Sequence, residues 1–215
     1  MVNNHQEEIK NDCNVRSVNK EEYRTTEEMA RDSFWNVYRP GCLEHFVLHC
    51  IRQSADYNPA LDFVLEKDGE IIGQNIFCPA FVTTAGGTQI AVFTMGPVCI
   101  RPAYQGKGYG RYLLEKSLEA AARNGVKAVF IEGDINFYGK SGFVPASEYG
   151  IGYHGLPWDA DASFFLCKEL EKGFLSDVKG EYSTPRVYFV DEKRREEFDT
   201  TFPHREKQVL PTQIF

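Results

Sequence analysis

Residues 98–110 read VCIRPAYQGKGYG. Val98 and Ile100 alternate with Cys99 and Arg101, the two-residue period of a strand. Pro102 has no N–H for a ladder and ends it. Gln105-Gly106-Lys107-Gly108-Tyr109-Gly110 then packs three glycines into five positions. A helix follows at once, with Leu114, Leu118 and Ala121 on one face, Leu113 and Ala122 beside it, and Asn124-Gly125 as its stop. Glycines let a backbone approach a ligand at positive φ, and the first amides of a helix lack internal partners at the positive end of its dipole. The stretch therefore suits an anion such as a phosphate, with Lys107 and Arg111 adding charge; the alternative is a tight turn without a ligand.

Two familiar phosphate loops do not fit. A Rossmann turn needs G-x-G-x-x-G, and Gly110 comes one residue early. A P-loop ending in Gly139-Lys140-Ser141 would need glycine at Asp134, one residue past Gly133, which disfavours a P-loop nucleotidase. The spacing that fits is Q-x-x-G-x-G from Gln105, preceded by Val98-x-Ile100-x-Pro102. This resembles motif A of the GCN5-related N-acetyltransferase (GNAT) superfamily. After one helix and one strand comes Asn136-Phe137-Tyr138-Gly139-Lys140-Ser141-Gly142-Phe143, similar to that family's FYxKxGF element. Gly133-Asp134 ahead of Tyr138 resembles a subgroup, the YhbS-like predicted bacterial acetyltransferases. The resemblance covers roughly residues 14–170.

The rest of the chain reads in order. Residues 1–12 are polar and expected to fray, and MVNNHQEEIKND predicts no secretory signal. Strands are expected at 14–18, 61–67, 70–82, 88–100, 128–132, 143–149 and 164–170, and helices at 21–37, 42–54, 109–123 and 136–141. Asp68-Gly69 predicts a hairpin turn, and Pro97 a bulge or splay inside its strand. Residues 186–190 read as a strand and 191–199 as a charged helix. The order βααβββαβαββ predicts an α/β chain. The resemblance implies the GNAT (acyl-CoA N-acyltransferase) fold, a mixed, mostly antiparallel sheet with helices on both faces. Residues 1–170 would form the acetyltransferase domain, and 171–215 an extension packed on it.

A net charge of −7 argues against nucleic acid and against an anionic membrane. Six scattered cysteines form no CxxC pair and no disulfide scaffold, and no apolar run approaches a bilayer span. A cytoplasmic protein is expected.

The resemblance implies an acetyl-CoA-dependent N-acetyltransferase whose primary amine, on a small molecule or peptide, attacks directly in a ternary complex. The alternative is a non-catalytic acyl-CoA-binding module. A homodimer is compatible with either. The resemblance assigns acetyl-CoA to Val98, Cys99, Ile100, Gln105, Gly106, Lys107, Gly108, Tyr109, Gly110 and Arg111, with Asn136, Tyr138 and Lys140. Cys99 alternates away from Val98 and Ile100, so its thiol is expected to be buried. Tyr138, four residues before Gly142, takes the place of the general acid that protonates the departing thiolate. Many family members carry asparagine six residues before that tyrosine; Glu132 stands there instead. Glu132 and Asp134 are the candidate bases, and Asp134 could equally cap the following helix. Tyr38, Glu44 and His45 are the candidate acceptor-binding residues. Trp35, Tyr153 and Trp158 line the acceptor pocket or serve as core aromatics. His45 and His49 share an i,i+4 spacing, but no third ligand accompanies them, so no metal is expected.

Overall fold

The computed structural model describes Ile9 and residues 12–214. In chain order the elements are β1 (Cys13–Ser17), α1 (Tyr23–Phe34), α2 (Glu44–Gln53), β2 (Asp62–Lys67), β3 (Glu70–Thr83), β4 (Gln89–Ile100), α3 (Tyr109–Arg123), β5 (Ala128–Glu132), α4 (Ile135–Tyr138), β6 (Val144–Pro145), β7 (Ile151–Tyr153), β8 (Phe165–Glu169), β9 (Gly180–Ser183) and α5 (Glu192–Asp199). Two compact units share these elements. One holds the residues up to Ile76, Pro97–Leu113 and those from Val187 on; the other holds Phe77–Gly96 and Leu114–Arg186. No described helix is long and apolar enough to cross a membrane.

In the first unit β1, β2 and the start of β3 are antiparallel neighbours. Asp68 and Gly69 both take positive φ, 50° and 79°, the demand of a tight hairpin turn whose twist matches its strands. Met29, Ala30, Val47, Leu48, Ile51, Val64 and Ile76 form one apolar cluster. Ile9, Leu65, Ile72, Ile100 and Leu113 form another. The expected fraying of residues 1–12 falls outside the described residues except at Ile9, which is buried, and Asp12, which is exposed.

This unit also buries a charge pair. Arg52 donates from Nε to Asp62 Oδ2 at 2.8 Å, and the two side chains are 1% and 0% exposed. Tyr57 and Gln74 donate to the same carboxylate, and Arg52 also donates to Thr26 Oγ1. The carboxylate thus collects donors from α2, β3 and the loop after α2, which offsets the cost of burying it.

In the second unit β4 pairs parallel with β5 through Phe93–Val129 and Thr94–Phe130. β4 then runs on past Pro97 to Ile100. β8 lies antiparallel to β5 and to β6. β9 pairs antiparallel with β3 and parallel with β7. The sheet is mixed and mostly antiparallel. Its core joins Val82, Val92, Phe130, Phe165, Leu175 and Tyr182.

Four expectations are corrected. The strand expected at 143–149 is only Val144–Pro145, because the chain turns into a 3-10 helix at Ala146–Tyr149. Residues 186–190 begin with a 3-10 turn at Arg186–Tyr188. β7 and β9 were not anticipated, being three and four residues long. α1 stops at Phe34: Trp35 is extended, Asn36 sits at φ 61°, and Val37 is exposed.

The buried pair makes a test. Arg52→Met strands the Asp62 carboxylate, so it should cost about 3–5 kcal/mol in urea unfolding. Arg52→Met with Asp62→Asn should lose less than Arg52→Met alone, since no net charge is then buried without its partner.

Candidate functional site

The loop after β4 is fixed at its base. Arg101 N donates to Ile72 O at 2.8 Å, and the Arg101 guanidinium reaches Ile71 O and the Glu70 carboxylate. Tyr104 donates to Glu70 Oε2 at 2.7 Å. Gly106 and Gly108 then take φ of 73° and 87°, which other residues adopt at a cost. α3 starts immediately, with Tyr112 N bonded back to Gly108 O. Its first-turn amides have no acceptor within the helix. Gln105, Gly106, Lys107 and Gly108 are exposed, as is Arg111, so an anion has access to this end of the dipole. Gly110 lies within the first turn, and Tyr109 is buried with its ring edge-on to Tyr104. Lys107 Nζ reaches Ala103 O.

The end of β4 is partly committed. Ile100 O accepts from Ser33 Oγ at 3.1 Å and Gln105 Nε2 at 2.9 Å. Ser33 has one proton and Met29 O, at 2.8 Å, competes for it, so Gln105 is the firm donor to that carbonyl. Val98 is half-buried. The Cys99 thiol lies in the core beside Val18 and Met29, and burial pushes it up to about 12. Its side chain faces the apolar cluster rather than a ligand.

In the second unit Asp134 caps α4, its Oδ1 accepting from Asn136 N at 2.9 Å and Asn136 Nδ2 at 2.8 Å. The bond to Asn136 N makes Asp134 a cap, worth about 1 kcal/mol, and engages the Asn136 amide. Tyr138 is buried, edge-on to Phe137 and Phe143. Its ring lies against the Gly133 backbone. A Cβ built at Gly133 would sit 2.4 Å from Tyr138 Cε2, so only glycine leaves room for the ring. Glu132, the last residue of β5, is exposed and accepts from Tyr153 Oη at 2.7 Å. Lys140 is exposed.

The acceptor candidates separate. His45 is fully buried, which excludes it from direct contact with a substrate. Its Nδ1 lies 3.1 Å from Cys42 Sγ and its Nε2 3.4 Å from Asp199 Oδ1, while Phe198 and Phe202 pack on the ring. Glu44 is half-buried, accepts from Leu43 N, and is raised by burial above the usual carboxylate range. Tyr38 is exposed and its phenol is raised by burial and then by Glu44. His49 pairs instead with Glu27 Oε1. No group of three or more His, Cys, Asp and Glu placed to hold a metal occurs among the described residues. Trp35 donates to Glu206 O, and Trp158 is 68% exposed over Gly152.

Sequence reasoning missed Asp199 and Thr184. Arg31 is 2% exposed and donates to Asp199 Oδ1 at 2.7 Å, a partner 168 residues away that no local pattern announces. Thr184 reaches Tyr153 Oη just beyond a strand too short to show a period.

Residues 60–145 match the family model described as the acetyltransferase (GNAT) domain. The Escherichia coli K12 protein named uncharacterized N-acetyltransferase YjhQ is 27% identical over 89 residues, 41% of this chain and 49% of that protein. The chain therefore spans about half the length of that curated relative. The crystal structure of the E. coli GNAT family N-acetyltransferase YhbS, in complex with CoA, superposes with a TM-score of 0.71 at 22% identity, covering 83% of this chain and 93% of that one. A GNAT family acetyltransferase from Brucella melitensis in complex with acetyl-CoA gives 0.64 at 19% identity, over 82% and 97%. Both share the fold.

Burial pushes the His45 imidazole from its ordinary 6.5 down to about 4, against the pull of the Asp199 carboxylate. Between those values the unfolded chain binds a proton that the native one does not. Stability should thus fall as pH drops from 6.5 toward 4, by about 1.4 kcal/mol per unit from this group. Urea midpoints of wild type and His45→Asn at pH 7, 6 and 5 test it: the wild-type curve should descend more steeply, and parallel curves would refute the assignment.

Proposed function

We propose that this chain, whose residues 60–145 match the GNAT acetyltransferase domain, transfers an acetyl group from acetyl-CoA to a primary amine by direct attack. The observation that carries the reading is the exposed Gln105–Gly108 turn, with two positive-φ glycines, leading directly into the first turn of α3. Backbone amides from Gly106 to Arg111 hold the pyrophosphate, with Lys107 and Arg111 supplying charge. Backbone groups of Val98 and Ile100 take the pantetheine pairing. Acetyl-CoA supplies an activated thioester carbonyl.

The protein's part is proton management. An amine arriving as its ammonium form must lose a proton before its lone pair can attack. Glu132 and Asp134 are the candidate acceptors, and we take Glu132, which ends β5 exposed and leaves the α4 cap intact. The C–N bond forms, the C–S bond breaks, and the sulfur leaves with the electron pair. Tyr138 gives that thiolate its proton and regains one from the attacking nitrogen through solvent. The exposed Tyr38 and the half-buried Glu44 are read as acceptor contacts.

Acetyl-CoA at a hundred times its Kd should stabilise the protein by about 2.7 kcal/mol, roughly 5–10 °C in a thermal shift, while ATP and NAD give none. Thiol release with an amine marks the enzyme; tight acetyl-CoA binding without turnover on any amine marks a binding module. Tyr138→Phe should cut kcat about a hundredfold or more and leave the acetyl-CoA shift intact. Gly133→Ala should lower kcat too, by moving the ring without removing its hydroxyl.

A further inference from the structure

We infer that Tyr153, itself held by Thr184, is the residue that positions the Glu132 carboxylate to take the proton of the incoming amine. The inference rests on the acetyl-transfer reading above and deepens it. Glu132 ends β5 with its side chain exposed. An exposed glutamate ordinarily samples many rotamers and is a poorly aimed base. Here Tyr153 Oη donates to Glu132 Oε1 at 2.7 Å and lies 3.0 Å from Thr184 Oγ1. A carboxylate can only accept, and a phenol has one proton. That proton goes to Glu132, so Thr184 donates to Tyr153. The chain of hydrogen bonds has one direction, Thr184 to Tyr153 to Glu132.

The ring is anchored so that this direction persists. Tyr153 stands edge-on to Phe164 and Phe165, at 5.5 and 5.2 Å between centroids. It lies opposite Tyr182 in the β7–β9 ladder, and the next residue, His154, donates its amide to Tyr182 O. Burial pushes the phenol up to about 12, so it remains a donor across the working pH range. Among the described residues Glu132 Oε2 has no hydrogen-bond partner, which leaves one oxygen for the substrate proton. The same strand end also places the acid: Gly133, next in the chain, is the residue against which the Tyr138 ring lies. Base and acid thus leave one turn of backbone, and the tyrosine from β7 sets the aim of the base.

The ionisable groups that face Glu132 are Tyr153 on β7 and Tyr182 on β9, both raised in part by its charge, and Asp134 in its own turn. Both phenols are raised and stay neutral over pH 5–9. Tyr153→Phe removes a hydrogen bond that the ionised carboxylate accepts.

The test is thiol release from acetyl-CoA over pH 5–9 with spermidine, L-lysine, an aminoglycoside and a short unblocked peptide as amines, with acetyl-CoA thermal shifts alongside. With whichever amine turns over, Glu132→Gln should lower kcat/KM at least a hundredfold and abolish the acidic limb. Tyr153→Phe keeps the ring; it should lower kcat several-fold, move the acidic limb to higher pH, and leave the acetyl-CoA shift unchanged. Thr184→Val should move the limb the same way by less, and serves if Tyr153→Phe does not fold. An acidic limb left in place in a folded Tyr153→Phe, or Thr184→Val standing in for it, overturns the positioning role while wild-type turnover upholds acetyl transfer. Wild type that neither shifts with acetyl-CoA nor releases thiol overturns both.

Discussion

A carboxylate and a guanidinium with no access to water underlie the first unit. Asp62 begins β2, and Arg52 lies in the last turn of α2. Exposed, such a pair would contribute almost nothing; buried, each partner becomes expensive without the other. The arrangement also specifies position. Asp62 accepts from Arg52, Tyr57 and Gln74, and Arg52 reaches Thr26 and the Tyr23 carbonyl. Few placements of α1, α2, β2 and β3 satisfy all of these donors. Ser33, one turn after Met29 on α1, then shares its one proton between the Met29 carbonyl at 2.8 Å and the last carbonyl of β4 at 3.1 Å. The position of the Gln105–Gly110 turn follows from that bond, since Gln105 ties to the same carbonyl.

In the second unit the governing constraint is space rather than charge. Gly133 follows Glu132, and Tyr138 comes back over it after a single capped turn. A side chain at Gly133 would push the phenol away, and an uncapped α4 would loosen the return. Asp134 therefore supports the proposed chemistry by a structural route: its Oδ1 accepts from the Asn136 amide and side chain. Glu132, one residue before the glycine, keeps an oxygen for other use.

Much of this was legible in the chain. The Tyr109–Arg123 helix and the Ala128–Glu132 strand stand where the apolar spacing put them. Asp68-Gly69 forms the hairpin its turn chemistry demands. The positive-φ glycines of the loop follow from Gly106 and Gly108 having no Cβ. Illegible were features set by distant partners. His45 and His49 at i,i+4 look like ligands on a helix until Asp199 and Glu27 arrive to occupy them separately. β7 and β9, at three and four residues, are shorter than the two or three alternations needed to show a period. Tyr153 was visible as an aromatic residue, but its hydroxyl partners come from β5 and from beyond β9, which no local pattern joins.

The residues from α5 onward illustrate the same point in energetic terms. Read alone, Glu192–Asp199 is a charged, solvated helix with one aromatic. In place, Asp199 neutralises Arg31 at 2% exposure, and Phe198 and Phe202 close over His45. Glu206 O accepts from Trp35 and Asn36, Gln213 donates to Asn36 O, and Ile214 N donates to Tyr38 O. Asn36 holds its left-handed φ because both faces of its amide and its carbonyl are engaged by this segment and by Gly41. A buried arginine and a strained asparagine in the stretch 31–36 are each unfavourable when considered with α1 alone. They become favourable only with a chain segment more than 160 residues later. The loop carrying Tyr38 is therefore shaped from the far end of the sequence, and its geometry cannot be understood from the helices that flank it.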